Sequence, residues 1–309
     1  MIDTIARDAL RDCLADRIEF DAPLSRYTSL RIGGPADALA TPADRDELRR
    51  LLETCAKHAL STLVIGAGFN LLVGENGLRA VVIRLKKLRG IERVDGQNIL
   101  IEAGASHATI TRYCVDNALG GLEFSAGIPG TLGGWIAMNA GIGVREMKDV
   151  VVEIEIMGPD GEALRRISRA DLDFRYRELA GLPKGAVIVS AQLNVEEGER
   201  AKVQSEIDRL LAHRQSTQPT DIPSCGSVFR NPPGQFAGQL IEAAGMKGTR
   251  IGSAEISAVH ANFIVNHGGA TASDVLRLIE RAREEVESAT GIRLETEVKI
   301  LGRPRGESS

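Results

Sequence analysis

Cysteine is scarce and scattered in this chain, with Cys13, Cys55, Cys114 and Cys225 the four examples among 309 residues. They form neither a C-x-x-C pair nor a zinc-type cluster, so they read as reduced thiols in a cytosolic setting. The five histidines show no metal-ligand spacing, and no catalytic metal is expected. A basic excess is also missing: the formal net charge is −4 with no long basic run, which removes the electrostatic footprint of a nucleic-acid binder. No stretch approaches the roughly 20 apolar residues that span a membrane. Met1 to Arg17 alternates acidic and basic residues with short apolar steps, where a signal peptide would carry an apolar core. The expectation is a cytoplasmic protein with a small-molecule partner and no contact with nucleic acid or membrane.

What is present suits a globular protein. Hydrophobic residues make up 43% and charged residues 26%, far from a disordered profile. The length accommodates two or three compact units of about 100 to 200 residues each. Helical spacing of apolar residues predicts helices over Met1 to Leu14, Asp44 to Leu60, His107 to Asn117, Glu197 to Arg214, Gln235 to Ala244 and Ser273 to Ala289. Short strands are expected over Ala38 to Thr41, Thr62 to Ile65, Ala80 to Arg84, Asn98 to Glu102, Val150 to Met157, Ala186 to Val195, Ala261 to Val265 and Leu294 to Leu301. Repeated short strands with one or two helices fit an α+β arrangement better than a regular βαβ alternation. No internal repeat is visible.

Glycine-rich segments carry the first functional signal. Ile65 to Val73 reads IGAGFNLLV, where Gly66 and Gly68 allow positive φ and let backbone N–H groups approach an anion such as a pyrophosphate. It is not a Rossmann fingerprint, because the third glycine is absent and no helix opens. Gly127 to Gly143 reads GIPGTLGGWIAMNAGIG, in which Gly130, Gly133 and Gly134 lie too densely for an ordinary helix or strand. Two such loops point to a dinucleotide.

YTSLRIGGPA (Tyr27 to Ala36), IGAGFNLLV, GIPGTLGGWIAMNAG and later blocks, in that order, resemble the UDP-N-acetylenolpyruvoylglucosamine reductase family from about Leu24 to Gly302. The resemblance implies a vanillyl-alcohol-oxidase-type (PCMH-like) FAD-binding domain over 1–200, in two subdomains with an N-terminal helix. A smaller α/β substrate-binding domain over 201–302 and a tail over 303–309 would follow. It implies reduction of UDP-N-acetylglucosamine enolpyruvate to UDP-N-acetylmuramate in peptidoglycan precursor synthesis, with bound FAD, NADPH as co-substrate, and a monomer as the working expectation. Cofactor contacts would come from Arg31, from Gly66, Ala67, Gly68, Phe69, Asn70 and Leu71, and from Ile128, Pro129, Gly130, Thr131, Gly133, Gly134, Ala137, Asn139 and Ala140.

Phe174-Arg175-Tyr176-Arg177 resembles the family's F-x-Y-R block, which makes Arg177 its catalytic arginine and Tyr176 a substrate contact. Pro223 to Pro232 contains G-S-x-F-x-N-P, which assigns the proton donor to Ser227 and a substrate contact to Asn231. The L-E-x-E-V ending gives the catalytic glutamate to Glu297 and not to Glu295. Arg214, Arg230, Lys247 and Asn262 are further expected substrate contacts; each cation could equally be a solvated surface charge. The chemistry explains these types. Hydride delivered to the distal carbon of the enolpyruvyl double bond leaves negative charge spread into the carboxylate, which Arg177 with Glu297 would stabilise, and Ser227 would protonate the adjacent carbon.

The sequence departs from the pattern in two places. Leu179 stands where the family often has serine, and Gly141-Ile142-Gly143-Val144 replaces an ending that often includes tyrosine. No tyrosine occurs between Tyr176 and Ser227, which resembles the shorter type without a tyrosine-bearing loop. Another oxidoreductase with the same FAD domain is the competing reading, but it has no reason to keep Ser227, Asn231 and Glu297 in these settings; a non-catalytic nucleotide-binding relative is a more distant alternative, which would not oxidise NADPH when given the enolpyruvyl substrate.

Overall fold

The computed structural model describes residues 2–302, so the expected tail, 303–309, and Met1 lie outside the described residues. The chain divides into two compact units that interleave along the sequence. Among the described residues, the first comprises 2–21, Asp37–Ala67 and Arg79–Ala212, and the second Ala22–Ala36, Gly68–Leu78 and 213–302. This differs from the contiguous 1–200 and 201–302 division expected from the sequence. The early segments join the second unit through backbone pairing. Gly34 N–H donates to Gly74 O and Gly74 N–H to Leu301 O, and Leu71–Val73 runs parallel to Lys299–Leu301.

In the first unit, a five-stranded antiparallel sheet runs in the order Arg165–Ser168, Val151–Met157, Val187–Asn194, Asn98–Glu102, Ile91–Arg93. A four-stranded sheet is ordered Ile18–Pro23, Pro35–Ala40, Leu78–Arg84, Thr62–Ile65, with the last two strands parallel. Helices close over these sheets with the caps their sequences supply. Asp3, Asp44 and Ser106 each accept from a backbone N–H three residues on, which starts Thr4–Leu14, Arg45–Lys57 and His107–Asp116. Their apolar stripes, Leu10 and Leu14 against Leu48, Leu51 and Leu52 among them, are fully buried in one core.

The second unit holds the antiparallel sheet Ser224–Ser227, Phe263–Asn266, Ala254–Ile256, Arg250–Ile251. Its long helix, Ala272–Thr290, begins with a reciprocal Thr271/Asp274 capping box and ends at Gly291 with φ 73°. A separate core gathers Leu30, Ile32 and Leu72 with Phe229, Ile241, Leu278 and Val286.

Two local expectations change. The dense glycine segment does contain a short helix, Leu132–Ala137, tolerated because Gly133 lets it lie against Ala103; a Cβ there would sit 3.0 Å from the Ala103 Cβ. The expected strand Leu294 to Leu301 is regular only over Lys299–Leu301. Earlier, the segment touches its neighbour by an isolated bridge, Phe229 to Thr296. Leu294 and Val298 are buried while Glu295 is exposed, but Ile300 is 41% exposed, so the inward alternation holds only as far as Val298.

Candidate active site

The two glycine loops meet in the first unit. A Cβ on Gly66 would lie 2.6 Å from the Thr131 Oγ1, so the absence of a side chain at 66 is what lets the loops close together. Gly66 itself lies outside the left-handed region; Gly68, with φ 76°, is the glycine of the pair that needs it. The second loop is pinned by backbone bonds from Leu132 N–H to Ala105 O and Gly133 N–H to Ala103 O. Together they border a cavity of about 620 Å³, lined by Gly66, Ala67, Thr131, Gly133, Gly134 and Ala137 from the expected set. Ser106, Thr109, Lys86 and Arg89 also line it and had not been singled out from the sequence. Their only advance signal was position, just after a strand or at a helix start.

This cavity fits FAD. Its volume is in the range of small-molecule and cofactor sites, its lining combines glycines and alanines with the hydroxyl residues Ser106, Thr109 and Thr131, and three cationic residues, Arg84, Lys86 and Arg89, line it. Next to Gly130, whose φ is 136°, the indole Nε1 of Trp135 is buried without a hydrogen-bond partner.

Other expected cofactor residues fall elsewhere. Arg31, with φ 56°, lines a cavity of about 340 Å³ in the second unit with Pro223, Asn266, Gly268 and Gly269. Gly68, Phe69, Asn70 and Leu71 also belong to the second unit. Asn70, at φ 58°, receives Lys299 N–H on its carbonyl, donates its own N–H to Cys225 O, and gives its amide to Glu297 O at 3.2 Å. It therefore braces the two segments that carry Ser227 and Glu297. Asn139 is fully buried, and its side chain is committed to Glu146, Lys148 and Arg175.

Ser227 lies at the end of its strand, paired with Phe263. It lines a cavity of about 330 Å³ with Asn231, Asn262, Phe236, Gln239 and His260. Glu297 N–H donates to Val228 O at 2.8 Å, which fixes the glutamate segment beside the serine loop. Asn231 accepts from Ala237 N–H at 3.0 Å at the start of the helix Ala237–Ala243. Asn262, 4% exposed, grips both backbone groups of Phe229, accepting at 2.9 Å and donating at 2.8 Å. Burial pushes His260 down from its usual range, so its imidazole is neutral near pH 7. Cys225, just before Ser227, is pushed up to about 12 by burial and stays a thiol.

Arg177 sits at φ 58° in the two-residue turn of the hairpin Asp173–Arg175/Glu178–Ala180. Its Nη2 donates to Gly141 O at 3.2 Å, and its guanidinium lies 5.2 Å from the Tyr176 ring centroid. Leu179, the departure from the usual serine, is buried and pairs with Phe174, so the position packs the hairpin onto the core. Arg214 is half-buried and bonded to Gln218, with its pKa lowered by burial. Arg230 has a buried Nε without a partner, and Lys247 pairs with Glu242 at 2.8 Å. Arg177 and Tyr176 belong to the first unit; Ser227, Glu297 and the remaining expected substrate contacts belong to the second. Among the described residues no helix is long and apolar enough to cross a membrane, and no group of three or more His, Cys, Asp or Glu could hold a metal ion.

Comparison with known proteins resolves the family. The FAD binding domain family matches residues 36–166, and the C-terminal domain of UDP-N-acetylenolpyruvoylglucosamine reductase matches 218–301. A UDP-N-acetylenolpyruvoylglucosamine reductase of Geobacter sulfurreducens is 42% identical over 301 residues, covering 95% of this chain and 99% of that protein. The chain belongs to the UDP-N-acetylenolpyruvoylglucosamine reductase family. A second reductase of that name, from Syntrophus aciditrophicus, is 44% identical over 97% of both proteins. The crystal structure of the reductase from Thermus caldophilus superposes with a TM-score of 0.80 at 35% identity, over 92% of this chain and 99% of that one. The fold is accordingly α+β, with an FAD-binding domain and a C-terminal domain, and the protein is an FAD-dependent oxidoreductase. The family's C-terminal domain takes in Ser227, Asn231, Lys247, Asn262 and Glu297.

Proposed function

We propose that this chain reduces the enolpyruvyl group of UDP-N-acetylglucosamine enolpyruvate to give UDP-N-acetylmuramate, using NADPH, as a cytoplasmic step of peptidoglycan precursor synthesis. FAD, when bound, supplies the two-electron chemistry that links the nicotinamide to the substrate. The FAD contacts come from Gly66, Ala67, Thr131, Gly133, Gly134 and Ala137. Family membership over nearly the whole chain is the observation that carries the reading.

The chain's own groups then have distinct tasks. Arg177 binds the substrate carboxylate and stabilises the charge that develops there; removing one such preorganised contact typically costs about 2.7 to 4 kcal/mol in activation free energy. Glu297 is the second proposed group for that charge, a role that requires either a proton on the glutamate or a compensating cation. Ser227 gives its hydroxyl proton to the carbon next to the carboxylate; this weak acid suffices because an enolate is a strong base. Its placement on the wall of a cavity shared with Asn231 and the neutral His260 supports that role. Asn231, Arg230, Arg214, Tyr176 and Lys247 are the proposed contacts to the sugar nucleotide.

The test is anaerobic. With NADPH added first and the enolpyruvyl substrate second, oxidised-flavin absorbance should be lost and then restored. In Ser227→Ala the loss should persist while restoration slows by about 10² to 10⁴-fold. Rapid restoration in that variant removes Ser227 from the reaction.

A further inference from the structure

Asn139 has an unusual combination of features for a residue of the glycine loop. It is 0% exposed and adopts φ 41°, a left-handed conformation that asparagine tolerates better than other non-glycine residues. Its amide is fully occupied. Nδ2 donates to Glu146 Oε2 at 2.9 Å and to Arg175 O at 3.0 Å, and Oδ1 accepts from Lys148 N–H at 3.0 Å. Both amide protons are therefore used.

The Arg175 carbonyl is the last acceptor before the turn Tyr176–Arg177, since Arg175 pairs with Glu178 to close the hairpin. Two residues beyond Asn139, Gly141 O accepts from the Arg177 guanidinium at 3.2 Å. The glycine loop thus grips this turn twice, once by its backbone and once by its functional side chain. Arg177 also lies at φ 58°, a conformation of a non-glycine residue that persists only where surrounding contacts over-determine it. Glu146 steadies the asparagine from the other side. Its carboxylate takes the Lys148 ammonium at 2.6 Å, and its backbone N–H donates to Asp149 in a reciprocal cap.

We propose that Asn139 is a positioning residue for the reduction: it holds the Arg175 carbonyl, and through it the left-handed turn, so that the Arg177 guanidinium is preset for the substrate carboxylate. The inference rests on the reading of Arg177 as the carboxylate-binding group. It also explains why asparagine is required. Aspartate has the same shape but would turn a carboxylate oxygen toward both the Glu146 carboxylate and the Arg175 carbonyl. Glycine would accept the backbone conformation but offers no amide.

The experiment compares Asn139→Asp, Asn139→Gly, Arg177→Ala and the double variant Asn139→Asp/Arg177→Ala as FAD-loaded proteins. Four quantities are measured: retained FAD, the rate of flavin reduction by NADPH, the rate of flavin reoxidation by the enolpyruvyl substrate, and hydrogen exchange of amides 173–180. Both Asn139 variants should retain FAD and be reduced within about twofold of the wild type. Their reoxidation at saturating substrate should slow by about 10²-fold, the scale set by an ångström of misplacement, with faster exchange across the hairpin. The double variant should be no slower than Arg177→Ala alone, because the asparagine acts only through the arginine.

Wild-type reoxidation in the Asn139 variants would overturn the inference. So would equal damage to FAD retention and both half-reactions, or an Asn139→Asp penalty that persists in full on top of Arg177→Ala. Normal reoxidation of Arg177→Ala would show a different failure: the arginine's assignment would fall, and the positioning role with it.

Discussion

Replacing Asn262 by alanine separates two roles this residue could have. From the sequence it was expected to touch substrate; in the structure its side chain clamps Phe229, a residue 2% exposed. The alanine variant leaves Phe229 N–H and C=O without the partners they now have at 2.9 Å and 2.8 Å. Each buried peptide group so orphaned costs about 1 to 3 kcal/mol. Asn262 also lines the 330 Å³ cavity, through which water reaches part of the gap, so the expected loss is in the lower half of the two-group sum, about 2 to 4 kcal/mol. The bond from Val228 N–H to Asn262 O, at 2.8 Å, uses backbone and survives the substitution. Native-state hydrogen exchange of peptides spanning 224–230 and 254–266 reads this directly. With tenfold per 1.4 kcal/mol, protection should fall by about 30 to 1000-fold. Unchanged protection together with a tenfold or larger rise in KM for the enolpyruvyl substrate would refute the clamp and restore the substrate contact.

Two further outcomes test the packing that shapes the site. Gly66→Ala places a methyl 2.6 Å from the Thr131 Oγ1 and should destabilise the loop pair by about 1 to 3 kcal/mol and lower the FAD content after purification. Adding Thr131→Ala, which removes the clashing atom, should recover most of the lost stability, read as the Tm of the FAD-free protein, and no recovery would mean the clash is not the cause. Glu155 is buried with Ser190, Arg45 and Arg166 on its carboxylate. Although burial raises its pKa, the Ser190 hydrogen bond and the arginines outweigh this and hold it below the usual carboxylate range. Its stabilisation is therefore complete above the unfolded-state value and is lost as pH falls through the lower folded-state value. Glu155→Gln should lower stability near pH 7 by about 2 kcal/mol and flatten the decline between pH 7 and pH 3; parallel curves for the two proteins would contradict it.

Local grammar made much of this protein legible. Asp44 announced a helix because capping is decided within four residues, and the stripe of Leu48, Leu51 and Leu52 announced which face would be buried. The glycine loops were legible as backbone approaching something closely. What approached Gly66 was Thr131 of the other loop as well as a cavity for cofactor. Asn139, Asn262 and Glu155 were opaque because their partners are fixed only by tertiary folding: Asn262 meets Phe229 and Glu155 meets Arg45 from distant parts of the chain. The strand ending at Leu301 was over-extended for a related reason. The inward alternation of Leu294 and Val298 is satisfied by an irregular segment whose amides are bonded to Val228 rather than to a continuous ladder.

The interleaving of the two units sets the order of events during synthesis. Leu30, Ile32 and Leu72 leave the ribosome early, yet the residues that cover them arrive only after His213, more than a hundred residues later. At about 5 to 20 residues per second the nascent chain carries these apolar side chains uncovered for roughly ten to thirty seconds. For the same reason the stretch 218–301, although it matches a family domain, is not a self-sufficient fragment: expressed alone it would lack both early segments that complete its core.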